Sequence, residues 1–136
     1  MEDERKIKDI YNCQYIVSDE MLYPLQEWYN QLIDKRIDEI TVADVLRMMR
    51  QKELIDLTIS KAIDFLKENV FMGELYDGQI LEQISELDIS LLIPYYDDMK
   101  YILEAALEKA TIHEWSYDGE KDEFIEIVRS LLSKIN

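Results

Sequence analysis

Side chains able to do chemistry are few in this sequence, and their spacing does not assemble them. Cys13 is the only cysteine and His113 the only histidine, so no Cys/His metal cluster and no internal disulfide can be built. The two make a formal nucleophile–base pair, but nothing in the pattern between them brings them together. Beside Glu114 and Trp115, His113 reads as a loop residue and not as a general base. Three glycines in 136 residues include no phosphate-cradling run. Two Asp-Gly pairs invite a calcium-loop reading that fails on register. With Gly78 or Gly119 at the sixth position, the twelfth is Ile84 or Ile125, and the bidentate carboxylate is missing. Asp97-Asp98 and Asp122-Glu123 are adjacent, and neighbours on a helix point about 100° apart, so neither forms a prearranged acid–base pair. The expectation is a protein that is not an enzyme and uses no cofactor or metal.

Charge carries the stronger signal. Thirty acidic residues against fifteen basic give a formal charge of −15. Direct binding to nucleic acid is excluded on that balance, because phosphate contacts need Lys and Arg. Between Lys67 and Lys100 there is neither, while eight carboxylates lie in the interval. One reading is a solvated surface that maintains solubility; the sharper one is a docking face for a basic partner. On the second, the candidate contacts are Glu74, Asp77, Glu82, Glu86, Asp97 and Asp98, with Tyr76 and Tyr95 as aromatic anchors. Core packing is the competing role for each tyrosine. Glu82 and Glu86 are four apart, where like charges on a helix cost about 0.2–0.5 kcal/mol, which hints at a use for them.

The elements that must position these residues are helical. Too few glycines and prolines are present to punctuate the short strands of a sandwich or barrel. Val42, Val45, Leu46 and Met49 follow the i, i+3, i+4, i+7 spacing of one helix face, and Thr41 with Asp44 has the form of a capping box. Ile55, Ile59, Ala62, Ile63 and Leu66, widened by Leu54, Leu57 and Phe65, predict a central helix over 53–69 packed beside the one over 41–51. Asp77 is placed to cap a third helix carrying Ile80, Leu81, Ile84 and Leu87. Upstream, Ile7, Ile10 and Tyr11 predict a short helix within 2–11. A second, capped by 18–20 and with Pro24 in its first turn, should run to about Lys35. Downstream, 88–94 reads as a buried connector and Pro94 opens a helix striped by Met99, Ile102, Leu103, Ala106 and Ala110. A loop over 111–119, anchored by Trp115, then leads to a last helix with Phe124, Ile127, Val128, Leu131 and Ile135. This predicts an all-α, compact single-domain bundle of six or seven helices covering 1–136, with no internal repeat. No stretch suits a membrane span or a secretory leader, and the cytoplasm is the expected compartment.

The central stretch also resembles the immunity proteins of bacterial contact-dependent growth inhibition systems. The resemblance covers about residues 25–86 and rests on DEITVADVLRMMRQ, LIDLTISKAIDFLKEN and GELYDGQILEQI, with Asp44, Arg47, Gln51, Ala62, Tyr76, Asp77 and Gly78 at matching points. Val70 stands where such proteins often carry proline, and Gln79 where an acidic residue is expected. The resemblance implies a small cytosolic protein that binds and blocks a cognate toxin domain, many of which are nucleases. A basic nuclease would suit the acidic surface. The alternative is an acidic adaptor or nucleic-acid mimic that occupies a basic DNA-binding protein.

Overall fold

The computed structural model describes residues 4–136. Among them are seven α-helices, two 3₁₀ segments and no strand, so the expected all-α class is the observed one. The first helix, α1 (Ile7–Tyr11), falls within the predicted span, of which residues 2 and 3 lie outside those described. By backbone contacts the chain divides into two compact units, one ending at Asp44 and the other Val45–Asn136.

In the first unit, α1 is followed by extended chain. The Asn30 side chain grips it by accepting from the Ile16 amide (2.7 Å) and donating to the Ile16 carbonyl (2.9 Å). Helix α2 (Pro24–Ile33) has proline in its first turn as expected. Its cap differs from expectation: Ser18 accepts only from the Glu20 amide, while the Tyr23 amide donates to the Gln26 side chain at 2.9 Å. A 3₁₀ turn at Ile37–Glu39 leads to α3 (Val42–Gln51), whose first three residues belong to this unit and whose remainder opens the second. The predicted capping box is present there. The Asp44 amide donates to Thr41 Oγ1 and the Thr41 amide to Asp44 Oδ2, both at 3.1 Å. Asp44 also accepts from the Lys35 ammonium (2.6 Å) and the Trp28 indole N–H (3.1 Å), so one buried carboxylate fastens α2 and the segment 35–41 to the first residues of α3.

The second unit contains α4 (Ile55–Glu68), α5 (Gln79–Ser85), a 3₁₀ segment (Ile89–Tyr95), α6 (Tyr96–Ala110) and α7 (Glu120–Ile135). Helix α4 is central as its wide apolar surface predicts, with Ile59, Ala62, Ile63 and Leu66 buried. Its close backbone approaches are to α5 and α6, not chiefly to α3 as the sequence suggests, and α7 lies against α5 and α6. The corner between α3 and α4 places Lys52 and Leu54 at positive φ, with the Thr58 hydroxyl donating to the Glu53 and Leu54 carbonyls. Pro94 falls inside the 3₁₀ segment, so α6 opens two residues later than expected.

Two outcomes follow from this packing. Ile59→Asp or Ile63→Asp puts an unpaired charge into a dry core, at a cost of several kcal/mol against a total stability of about 5–15 kcal/mol; circular dichroism should show no cooperative melt for either. Burial pushes the Asp44 carboxyl up, but the Lys35 ammonium and the Thr41 and Trp28 N–H groups outweigh it and hold the group below the ordinary carboxylate range. A depressed folded-state pKa contributes stability that is complete above about pH 4 and disappears as pH falls through the folded value. Asp44→Asn should therefore lower the urea midpoint at pH 7, by the equivalent of about 0.5–2 kcal/mol for the lost cap, and the gap from wild type should narrow towards pH 2.

Candidate functional site

The site is built from two loops that precede helices. The loop 71–78 is closed at its base, where the Gly78 amide donates to the Phe71 carbonyl (2.8 Å) and the Ile80 amide to the Met72 carbonyl (3.2 Å). Gln79, buried, accepts the Glu74 and Leu75 amides on Oε1, each at 2.9 Å. Gly73 is required by close approach, since a Cβ there would stand 2.1 Å from the Tyr76 carbonyl oxygen. Gly78, at φ 83°, takes the N-cap of α5, a left-handed conformation that favours glycine. Asp77 therefore does not cap the helix as expected. Its carboxylate instead lies 2.8 Å from His113 Nε2 in the second loop.

That second loop, 111–119, is anchored by Trp115 as predicted, its indole N–H donating to the Ala110 carbonyl at 3.2 Å. His113 stacks on Phe71 with centroids 3.9 Å apart, and Trp115 meets both rings edge-on. Phe124 of α7 packs against Phe71 and Trp115. The single histidine is thus a fastening between loops, held by one carboxylate and two aromatic neighbours.

Between the loops, α5 and α7 leave a cleft of about 60 Å³ walled by Tyr76, Tyr117, Asp77, Glu82, Glu120 and Glu123, over a floor that includes Leu81 and Phe124. Small-molecule sites are typically 300–1,000 Å³, so this cleft admits one side-chain head group and not a metabolite. No lysine or arginine lines it. Burial, then the neighbouring Glu82 carboxylate, raises the Tyr76 hydroxyl above the ordinary tyrosine range. Tyr117 is raised chiefly by its hydrogen bond to Glu123 (3.1 Å), with Glu82 also contributing. Both phenols stay neutral donors with carboxylates beside them. On the two loops, Leu75 (77% exposed), Tyr76 (42%), Ile112 (84%) and Tyr117 (56%) present apolar surface to solvent. Among the described residues, no three His, Cys, Asp or Glu side chains form a group that could hold a metal.

The predicted contact residues fall into two places. Tyr76, Asp77 and Glu82 line the cleft; Glu86, at the end of α5, adds its field at Tyr76. Glu74 is exposed on the same loop. Tyr95, Asp97 and Asp98 do not line it. They sit where the 3₁₀ segment meets α6, with the Tyr95 hydroxyl donating to the Asp56 carbonyl (3.3 Å) and Asp98 paired with Lys67 (2.9 Å).

Tyr117, Glu120 and Glu123 are absent from the sequence-derived set, yet a signal for them exists. Tyr-Asp-Gly occurs twice, at 76–78 and 117–119, each time with a glutamate six residues after the tyrosine. Both glycines are left-handed N-caps, at φ 83° and 94°. The residue after each glycine accepts a backbone amide four residues back: Gln79 from Leu75, and Glu120 from Ser116 at 2.7 Å. The cleft is walled by two copies of one turn.

The sequence profile of the CDI immunity proteins matches residues 9–102. The chain belongs to that family. Membership implies a cognate toxin as partner, in a family that is generally not enzymatic, and the match takes in the first Tyr-Asp-Gly turn but ends before the second. No curated protein matches the chain. No helix among the described residues is long and apolar enough to cross a membrane.

Gly73→Ala tests how this immunity protein shapes its loop. The added methyl group must displace the Tyr76 carbonyl, so the melting temperature should fall and the Glu74 and Leu75 amides should exchange with solvent faster than in wild type.

Proposed function

We propose that this CDI immunity protein acts in the cytoplasm by binding a basic toxin domain, a nuclease, through its acidic surface, using Glu74, Tyr76, Asp77, Glu82, Glu86, Tyr95, Asp97 and Asp98. The observation that supports this most is the cleft: Tyr76, Asp77 and Glu82 share a wall with two further carboxylates and no cation of the protein's own. Nucleases that hold polyanionic substrates carry clustered Lys and Arg, and an acidic inhibitor of such a surface gains on-rate and specificity from complementary charge. The tyrosines supply the anchoring rings that interfaces favour. Inhibition by occupation needs no chemistry from the inhibitor.

The test is association kinetics with the toxin domain encoded beside this protein's gene. Glu82→Lys with Glu86→Lys should leave the melting temperature near wild type, since Glu86 is exposed and Glu82, half-buried, forms no ion pair among the described residues, and such surface charges contribute little to stability. It should slow association by about tenfold or more at low salt and flatten the dependence on ionic strength. Glu104→Lys with Glu108→Lys, on the exposed side of α6, is the matched control and should do much less. Equal effects from the two pairs, or binding indifferent to salt, would overturn the acidic-surface reading.

A further inference from the structure

The stretch shared with the family ends at residue 102, yet half of the cleft wall comes from beyond it. Tyr117, Glu120 and Glu123 face Tyr76, Asp77 and Glu82, and Asp77 with His113 ties the two loops at 2.8 Å. Each Tyr-Asp-Gly turn delivers the same pair, a tyrosine and the carboxylate six residues later. Two rings and two carboxylates therefore confront one another across a gap the size of one head group. Among the described residues, Glu82, Glu120 and Glu123 form no ion pair with a lysine or arginine, whereas Asp34, Asp44 and Asp98 do. Each of the two loops also exposes a large aliphatic side chain, Leu75 on one and Ile112 on the other. Carboxylates without ion pairs beside aromatic faces, on loops that also expose apolar side chains, are complementary to a cationic side chain carried on a partly apolar protein surface.

We propose that residues 111–123 form the second half of the partner-binding surface, and that the paired turns receive one lysine or arginine side chain of the partner between Tyr76 and Tyr117. The inference rests on the reading of this chain as an inhibitor of a basic toxin, and it assigns to the segment outside the shared family stretch a direct part in recognising that toxin. Arginine suits the gap best, because its planar guanidinium can stack on a ring while donating to Glu82 and Glu123. The cleft is too small for a nucleotide, and its charge would repel one.

The experiment uses the full chain and the purified toxin domain encoded beside its gene, with affinity measured by titration calorimetry. Tyr117→Ala should raise Kd by about tenfold or more, as loss of an aromatic anchor does. Glu123→Gln should raise it less and reduce its salt dependence, and Ile112→Asp should also weaken binding. Tyr101→Ala, at another exposed tyrosine, should match wild type. If Tyr117→Ala does not fold, Glu123→Gln and Ile112→Asp decide the matter. Wild-type affinity in the 111–123 variants, alongside weakened binding by Glu82→Lys with Glu86→Lys, would overturn this inference and leave the acidic-surface reading standing. If neither set changes the affinity, or wild type does not bind, both fall.

Discussion

The hydrogen bond from the Gly78 amide to the Phe71 carbonyl is the constraint on which the functional end of the molecule depends. It closes the loop between α4 and α5, turns Phe71 towards His113 and Trp115, and leaves Tyr76 and Asp77 at the tip. A loop of this length would otherwise sample many conformations. Here the glycine that closes it is also the residue that starts the next helix, so the same left-handed backbone serves both ends. Asp77 is then free to reach the second loop. The aromatic cluster beneath is a consequence of that closure: with Phe71 held, His113 has a face to stack on and Phe124 an edge to meet.

What was legible in the sequence was local. The Thr41 and Asp44 pair signals a cap because both hydrogen bonds span three residues, and the stripes of α4, α6 and α7 need only the 3.6-residue period. Trp115 as a loop anchor was readable because a large aromatic in a polar stretch must bury its ring somewhere. Asp77 misleads for the same reason in reverse. The residue before a glycine at a helix start has the type of a cap, and its actual partner, His113, lies 36 positions away, where no local rule reaches.

The acidic interval shows a related limit. Carboxylates recur along the chain from Glu68 to Asp98, but only Asp77 and Glu82 line the cleft, while Asp97 and Asp98 fall in the first turn of α6. Asp98 acquires Lys67, while Glu82 acquires Tyr76 and the distant Tyr117 as neighbours. Composition records how much charge there is and not which helices bring it together. The recurrence of Tyr-Asp-Gly was visible in the letters, yet three residues are too short a match to stand out until both copies are seen to start helices facing one cleft.

Gln79 adds a thermodynamic consequence. Because its buried amide oxygen already holds the Glu74 and Leu75 amides, the tip of the first loop has surrendered its backbone freedom before any partner arrives. Ordering a side chain on complex formation costs about 0.5–1.5 kcal/mol for each rotamer-rich group, and a loose loop adds its backbone entropy to that sum. A tip fixed in advance avoids most of this penalty. Such a surface can sustain a long-lived complex over a small contact area, with its tightness expressed in slow dissociation.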